Sequence, residues 1–234
     1  MTQHHLLGRT ERELLCLQRR SFIQAAALWT GLGGFGAALA EERSNVVELQ
    51  GDVLLNGERL LPQQFIQTGD TVETGPDSHL VFVIGDSAFQ LRQKTRLVVE
   101  RGTTLNTCSV LELTSGAVLS VWGKQTQRLL VTPSMTAVVA GAAVYAEVVP
   151  GQDGLSYLCN CYGDVRLSAG TEKIRSHAEH HHAFWGEVEA RGGHFLTPAK
   201  NFNHSDEEVE FLARLVAQQP AWKNAQQRSA IQRA

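Results

Sequence analysis

An all-β body followed by one α-helix is the expected fold, on three grounds. Between about Val46 and Val188, short runs rich in Val, Leu and Thr alternate with clusters of Gly, Asp, Asn and Ser. That region shows no 3.6-residue apolar period. Beyond it, Ser205-Asp206-Glu207-Glu208 opens an apolar stripe with helical spacing.

The bulk composition allows such a body. The chain has 234 residues, 43% hydrophobic and 19% charged, enough for one or two domains with a real core. The net charge is -3, and no Lys/Arg cluster interleaves with aromatics, so nucleic acid is not an expected partner.

The N-terminus reads as an export signal. Arg19-Arg20-Ser21-Phe22 leads into the apolar run IQAAALWTGLGGFGAALA, which ends in Ala38-Leu39-Ala40. A twin arginine, a weakly apolar run and an A-x-A site together predict a twin-arginine signal over residues 1–40, cleaved after Ala40, and a periplasmic location. If the signal is retained, the run tethers the protein to the membrane, although its 18 residues include four glycines and lie near the lower limit for a span. Cys16 precedes the arginines, and no cysteine follows the run, so this is no lipoprotein signal. After cleavage the chain carries 17 basic and 22 acidic residues and three cysteines, Cys108, Cys159 and Cys161. An odd number excludes a complete disulfide framework, though an oxidising compartment permits one bridge.

The strands follow in order. VVEL, DVLL, FIQT, TVET, HLVFVI, AFQLR and RLVVE fill residues 46–100. VLELT, AVLSVW, QRLLVT, TAVVA, AVYAEVV, LSYLCNCY, DVRLSA and KIRSH continue to residue 177. His79–Ile84 is almost continuously apolar, which predicts burial on both faces. Gly51, Gly69, Gly116 and Gly163 each precede a Val-rich run, the last three at intervals of 47 residues. The expected cause is a tight Gly turn feeding each new strand of a stacked β-sandwich or solenoid. At the C-terminus, Ser205 and Glu208 form a capping box. Val209, Leu212, Leu215 and Val216 share a face with Phe211 beside it, and Pro220 stops the helix. The rest is a polar tail. These elements give a signal over 1–40, a β domain over 45–190, and a C-terminal helix with its tail over 191–234.

GDVLLNGERL, TGDTVETGPDSHLVFVIGDSAFQLRQKTRLVVE, LELTSGAVLSV, LLVTPSMTAVVAGAAVYAEV and GDVRL succeed one another in the order of the FecR domain, which the chain resembles from about Val46 to Leu167. The resemblance implies a stacked β-sandwich or solenoid with a binding or sensing role. Where the family often has Arg-Gly-Thr, this chain has Ala140-Gly141-Ala142, which keeps the turn but not its polar flanks. FecR-type signal transducers carry a cytoplasmic anti-sigma domain before a membrane helix. Only about 20 residues precede the apolar run here, so self-contained sigma-factor signalling is not expected. The C-x-C-Y-G stretch, the His-rich segment and the His204-Ser205-Asp206 helix start are similar to a subset of exported FecR-domain proteins.

The chemistry is concentrated in Tyr157-Leu158-Cys159-Asn160-Cys161-Tyr162-Gly163 and in the His177–His182 segment, HAEHHH. On a strand, residues i and i+2 share a face, so Cys159 and Cys161 present two sulfurs together while Asn160 faces away. Two adjacent thiolates suit Zn²⁺ or Cu⁺, with His180, His181 and His182 as candidate imidazole ligands. Haem remains open through thiolate or imidazole axial ligation, but no C-x-x-C-H occurs for covalent attachment. Three other readings stand beside the metal: a strained, redox-active Cys159–Cys161 disulfide, a bridge from either to Cys108, and buried cysteines with a solvated His loop. His204, just ahead of the helix cap, reads as structural. G-x-S-x-G, H-E-x-x-H, phosphate-loop and Rossmann signatures are absent, so no enzymatic activity is expected. The leading expectation is a non-catalytic periplasmic binding or sensing protein whose partner is a metal, a small ligand or an envelope protein. A cofactor-free envelope interaction protein and a redox thiol protein are the alternatives.

Overall fold

The computed structural model describes residues 44–100, 104, 108–124 and 127–223. All of these belong to the compact unit Arg43–Ala234. The expected signal lies outside them.

The body is all-β, as the alternating runs predict. Its strands are β1 Val46–Gln50, β2 Val53–Leu55, β3 Glu58–Arg59, β4 Thr71–Thr74, β5 His79–Ile84, β6 Ser87–Leu91, β7 Arg96–Val99, β8 Val110–Val121, β9 Arg128–Val131, β10 Thr136–Val148, β11 Ser156–Ala169, β12 Glu172–Ala178, β13 His182–Arg191 and β14 His194–Ala199, followed by helix α1, Asp206–Leu215. They form one open hydrogen-bonded network whose main path runs β14-β13-β11-β10-β9-β8-β7-β4-β2-β3. All pairings are antiparallel except β8 with β9. Among the described residues no helix is long and apolar enough to cross a membrane.

Three pairs of expected runs fuse into the long strands β8, β10 and β11, and each long strand changes partners partway. The first half of β8 pairs with β7 and β9, and the second with β6 and β10. β11 follows β10 along its length but meets β13 over Ser156–Asn160 and β12 over Gly163–Ala169. Gly116 and Gly163 sit at these changeovers with φ of 73° and 95°. They are therefore kinks inside long strands, whereas Gly51 and Gly69 occupy the expected turns before β2 and β4. At Gly163 an added Cβ would come within 2.7 Å of the Ala142 Cβ. The register of β10 shifts between Ala140 and Ala143, a bulge that brings Ala142 there. The Ala-Gly-Ala sequence thus accommodates a close backbone crossing.

The long strands are buried on both faces. Val118, Trp122, Val144, Ala146 and Leu158 point into the main core. Their neighbours Leu119, Val121, Tyr145, Tyr157, Cys159 and Cys161 point the other way, into a second apolar layer. That layer is covered by α1 and the chain around it, through Val209, Leu212 and Ala213. Burying the Val209 and Leu212 side chains stabilises the docked helix by about 1.5–3 kcal/mol each before ordering costs. The capping box forms as expected: Ser205 accepts from the Glu208 amide, and Glu208 accepts from the Ser205 amide. Glu208 also pairs with Arg92 at 2.7 Å.

Four elements differ from the sequence reading. FIQT is not a strand; β13 and β14 lie beyond the named runs; and residues 221–223 are helical and packed rather than tail. Alternation in β13 and β14 is broken by His182, Gly186 and Pro198, so composition did not mark them as strands.

Candidate metal centre

The site grows from the partner change of β11. β12 runs back along one half of β11 and β13 along the other, so the turn joining them must cross beside the middle of β11. That turn carries His180 and His181, and the His181 amide donates to the Cys161 carbonyl at 3.0 Å. His181 takes a left-handed φ of 44°, uncommon for a residue with a side chain. This conformation delivers its ring to the sulfur face.

Cys159 and Cys161 share that face and are fully buried, with free thiols. Asn160 faces the opposite side, where its amide donates to Gly163 O and to Ser176. The segment after β14 then folds over the sulfurs and supplies His204. Its ring stacks on Tyr145, with centroids 4.6 Å apart and planes 18° apart. Cys159 Sγ lies 3.4 Å from His181 Nδ1, Cys161 Sγ lies 3.5 Å from His204 Nε2, and the two ring nitrogens are 3.2 Å apart. All four donor atoms fall within 4.8 Å of one another.

Each imidazole is fixed through its far nitrogen. His204 Nδ1 donates to the Phe202 carbonyl at 2.8 Å, which leaves Nε2 facing the sulfurs. His181 Nε2 lies 2.7 Å from Asp206 Oδ1, which leaves Nδ1 facing the sulfurs. A carboxylate or carbonyl behind each ring is the usual support of a metal-bound histidine.

The electrostatics separate the two thiols. Cys159 is lowered to about 4, chiefly by the hydrogen bond from the Cys161 thiol and then, against burial, by His181 and His204. Cys161 is pushed well above the usual thiol range by burial and by the neighbouring Cys159 thiolate. Burial disfavours charge on His181, but its bonds to Cys159 and Asp206 outweigh burial and raise it. Without a metal, these shifts favour a thiolate on Cys159 beside a protonated His181, and a neutral thiol on Cys161.

Of the sequence candidates, the fold brings together Cys159, Cys161 and His181. His180 sits one shell out, its Nε2 2.9 Å from Asp206 Oδ2. His182 pairs in register with Asn160 and so lies on the face away from the sulfurs, exposed. Its place is taken by His204, which the sequence reading treated as structural. His204 lies 43 residues from Cys161, and nothing local to it shows that the arm returns to β11. Cys108 cannot bridge to either sulfur in this arrangement: it is buried in the main core, on the other side of β11, where burial raises it to about 12. Trp222 closes the outer side, stacked at 26° on His181 and packed against His180 and Tyr162.

No family model and no curated protein matches the chain. Among solved structures, a candidate anti-sigma factor from Parabacteroides distasonis ATCC 8503 is similar, at 13% identity and a TM-score of 0.45. The match covers 55% of this chain and 58% of that one, little more than half of each. A likeness so distant says nothing of activity.

Proposed function

We propose that this is an exported, non-catalytic binding or sensing protein whose centre is one Zn²⁺ or Cu⁺ held by Cys159, Cys161, His181 and His204. The observation that carries the reading is the spacing of the four donors. Bonds of about 2.3 Å to sulfur and about 2.0–2.1 Å to nitrogen give tetrahedral edges of about 3.5 Å for S···N and about 3.3 Å for N···N. The corresponding distances are 3.4, 3.5 and 3.2 Å. The S₂N₂ set suits soft or borderline tetrahedral ions. Four protein ligands leave no open position, which fits a structural or sensing centre better than a catalytic one. Donors converging on one point leave no slot for a porphyrin, which argues against haem. Export and a periplasmic site rest on the Arg19-Arg20 signal, and the FecR-like motif order agrees with a sensing role.

The depressed Cys159 thiol favours a second reading, a redox-active thiol. Metal analysis of untagged protein purified under reducing conditions separates the two. One equivalent of zinc or copper is expected, lost in Cys161→Ser. Less than about a tenth of an equivalent, with both thiols freely alkylated, removes the metal reading.

A further inference from the structure

The four ligands come from three separate pieces of chain. Cys159 and Cys161 lie on β11 and His181 on the β12–β13 turn, all within the sheet. Only His204 comes from the segment beyond β14. Asp206, which buttresses His181 and holds His180, lies two residues further, in the first turn of α1. Trp222, past the helix, stacks on His181 from outside. The arm formed by residues 203–223 thus meets the sheet-borne ligands at three points.

Beneath the arm lie Leu119, Val121 and Tyr145, each no more than 1% exposed with the arm in place. Among the described residues the arm's other polar ties to the sheet are Glu208 to Arg92 and Gln90, Arg92 to the Asn203 carbonyl, Asn203 to Glu147, and Gln218 to the Trp122 carbonyl. α1 has only ten residues, too short to persist as a helix away from the sheet. A metal that needs His204 binds the docked arm better than the undocked one, and such differential affinity shifts the equilibrium toward docking.

Resting on the metal reading above, we infer that the metal is a latch: binding through His204 pins the C-terminal arm over the second apolar layer of the sheet, and metal loss releases the arm and uncovers Tyr145, Leu119 and Val121. The latch converts metal occupancy into the exposure of one defined surface, and the sheet beneath keeps its own hydrogen bonds in both states.

Hydrogen–deuterium exchange on the full, reduced chain tests this, comparing protein with one equivalent of Zn²⁺ and the same protein stripped by a chelator. Amides of residues 207–217 should exchange at least ~10-fold faster after stripping, while β8 and β10 keep their protection. His204→Ala with Zn²⁺ should show the same fast arm as the stripped wild type. Equal arm protection with and without bound zinc overturns the latch and leaves the metal centre standing. So does wild-type arm protection in zinc-loaded His204→Ala. Loss of protection throughout the sheet on stripping overturns it too, because the metal then staples the whole fold. Failure to take up either Zn²⁺ or Cu⁺ removes the latch and the metal centre together.

Discussion

Cys159 and Cys161 are chemically identical in sequence and unlike in place. Cys159 receives a hydrogen bond from its neighbour and faces His181, while Cys161 is sealed beneath it. The sign of the Cys159 shift is clear: a lowered thiol pKa keeps the thiolate as pH falls below the ordinary thiol range. The metal-free, reduced protein is therefore expected to retain one thiolate absorbance near 240 nm at pH 6, losing it only as pH falls toward 4. Cys159→Ser should abolish that band; its absence from the wild type at pH 6 would contradict the arrangement. The support behind the rings makes a second residue-scale prediction. Asp206→Asn keeps the shape but weakens the bond behind His181, and a supporting residue of this kind typically costs about 10–100-fold in metal affinity. Chelator competition should show that loss in Asp206→Asn and none in His182→Ala, whose ring lies on the other face.

At the scale of elements, β11 positions everything, and its kink is the critical feature. Gly163 has a φ of 95° and no room for a Cβ beside Ala142. Gly163→Ala should therefore destabilise the fold by about 1–3 kcal/mol, read as a lower urea midpoint with an unchanged m-value. The sequence revealed the strand runs because alternation and Gly/Asp turns are local signals. It revealed the shared face of Cys159 and Cys161 because a strand has period two. It did not reveal that paired runs fuse into β8, β10 and β11, since a left-handed glycine inside a strand and one in a turn look alike. Nor did it choose among three consecutive histidines. That choice depends on where β12 gives way to β13 along β11, a long-range register. His204 was hidden for the same reason: its helix cap is local, but its return to the sulfurs is tertiary.

For the whole molecule, the centre joins ligands on the hydrogen-bonded sheet to a C-terminal arm that lies over its second apolar layer. Two buried thiols and two inward-facing ring nitrogens form a buried polar group, and such a group is costly unless its members are paired. A cation bound there would satisfy all four at once. Because the unfolded chain does not preorganise the four donors, metal affinity becomes folding stability. At a free metal concentration a thousand times Kd this amounts to about 4 kcal/mol, and for a domain of this size each kcal/mol moves Tm by about 2–4 °C. Calorimetry of the reduced protein should thus show Tm rising by about 10 °C with saturating Zn²⁺. Mg²⁺ should leave it unchanged, since a hard cation gains nothing from thiolates. Cys161→Ser should lower Tm in the absence of metal by less than it reduces the zinc-induced rise, because the serine removes a metal ligand but nearly preserves the packing of the layer. A zinc-induced rise of equal size in Cys161→Ser and wild type would place the stabilising ion elsewhere on the molecule and separate the stability effect from this cluster.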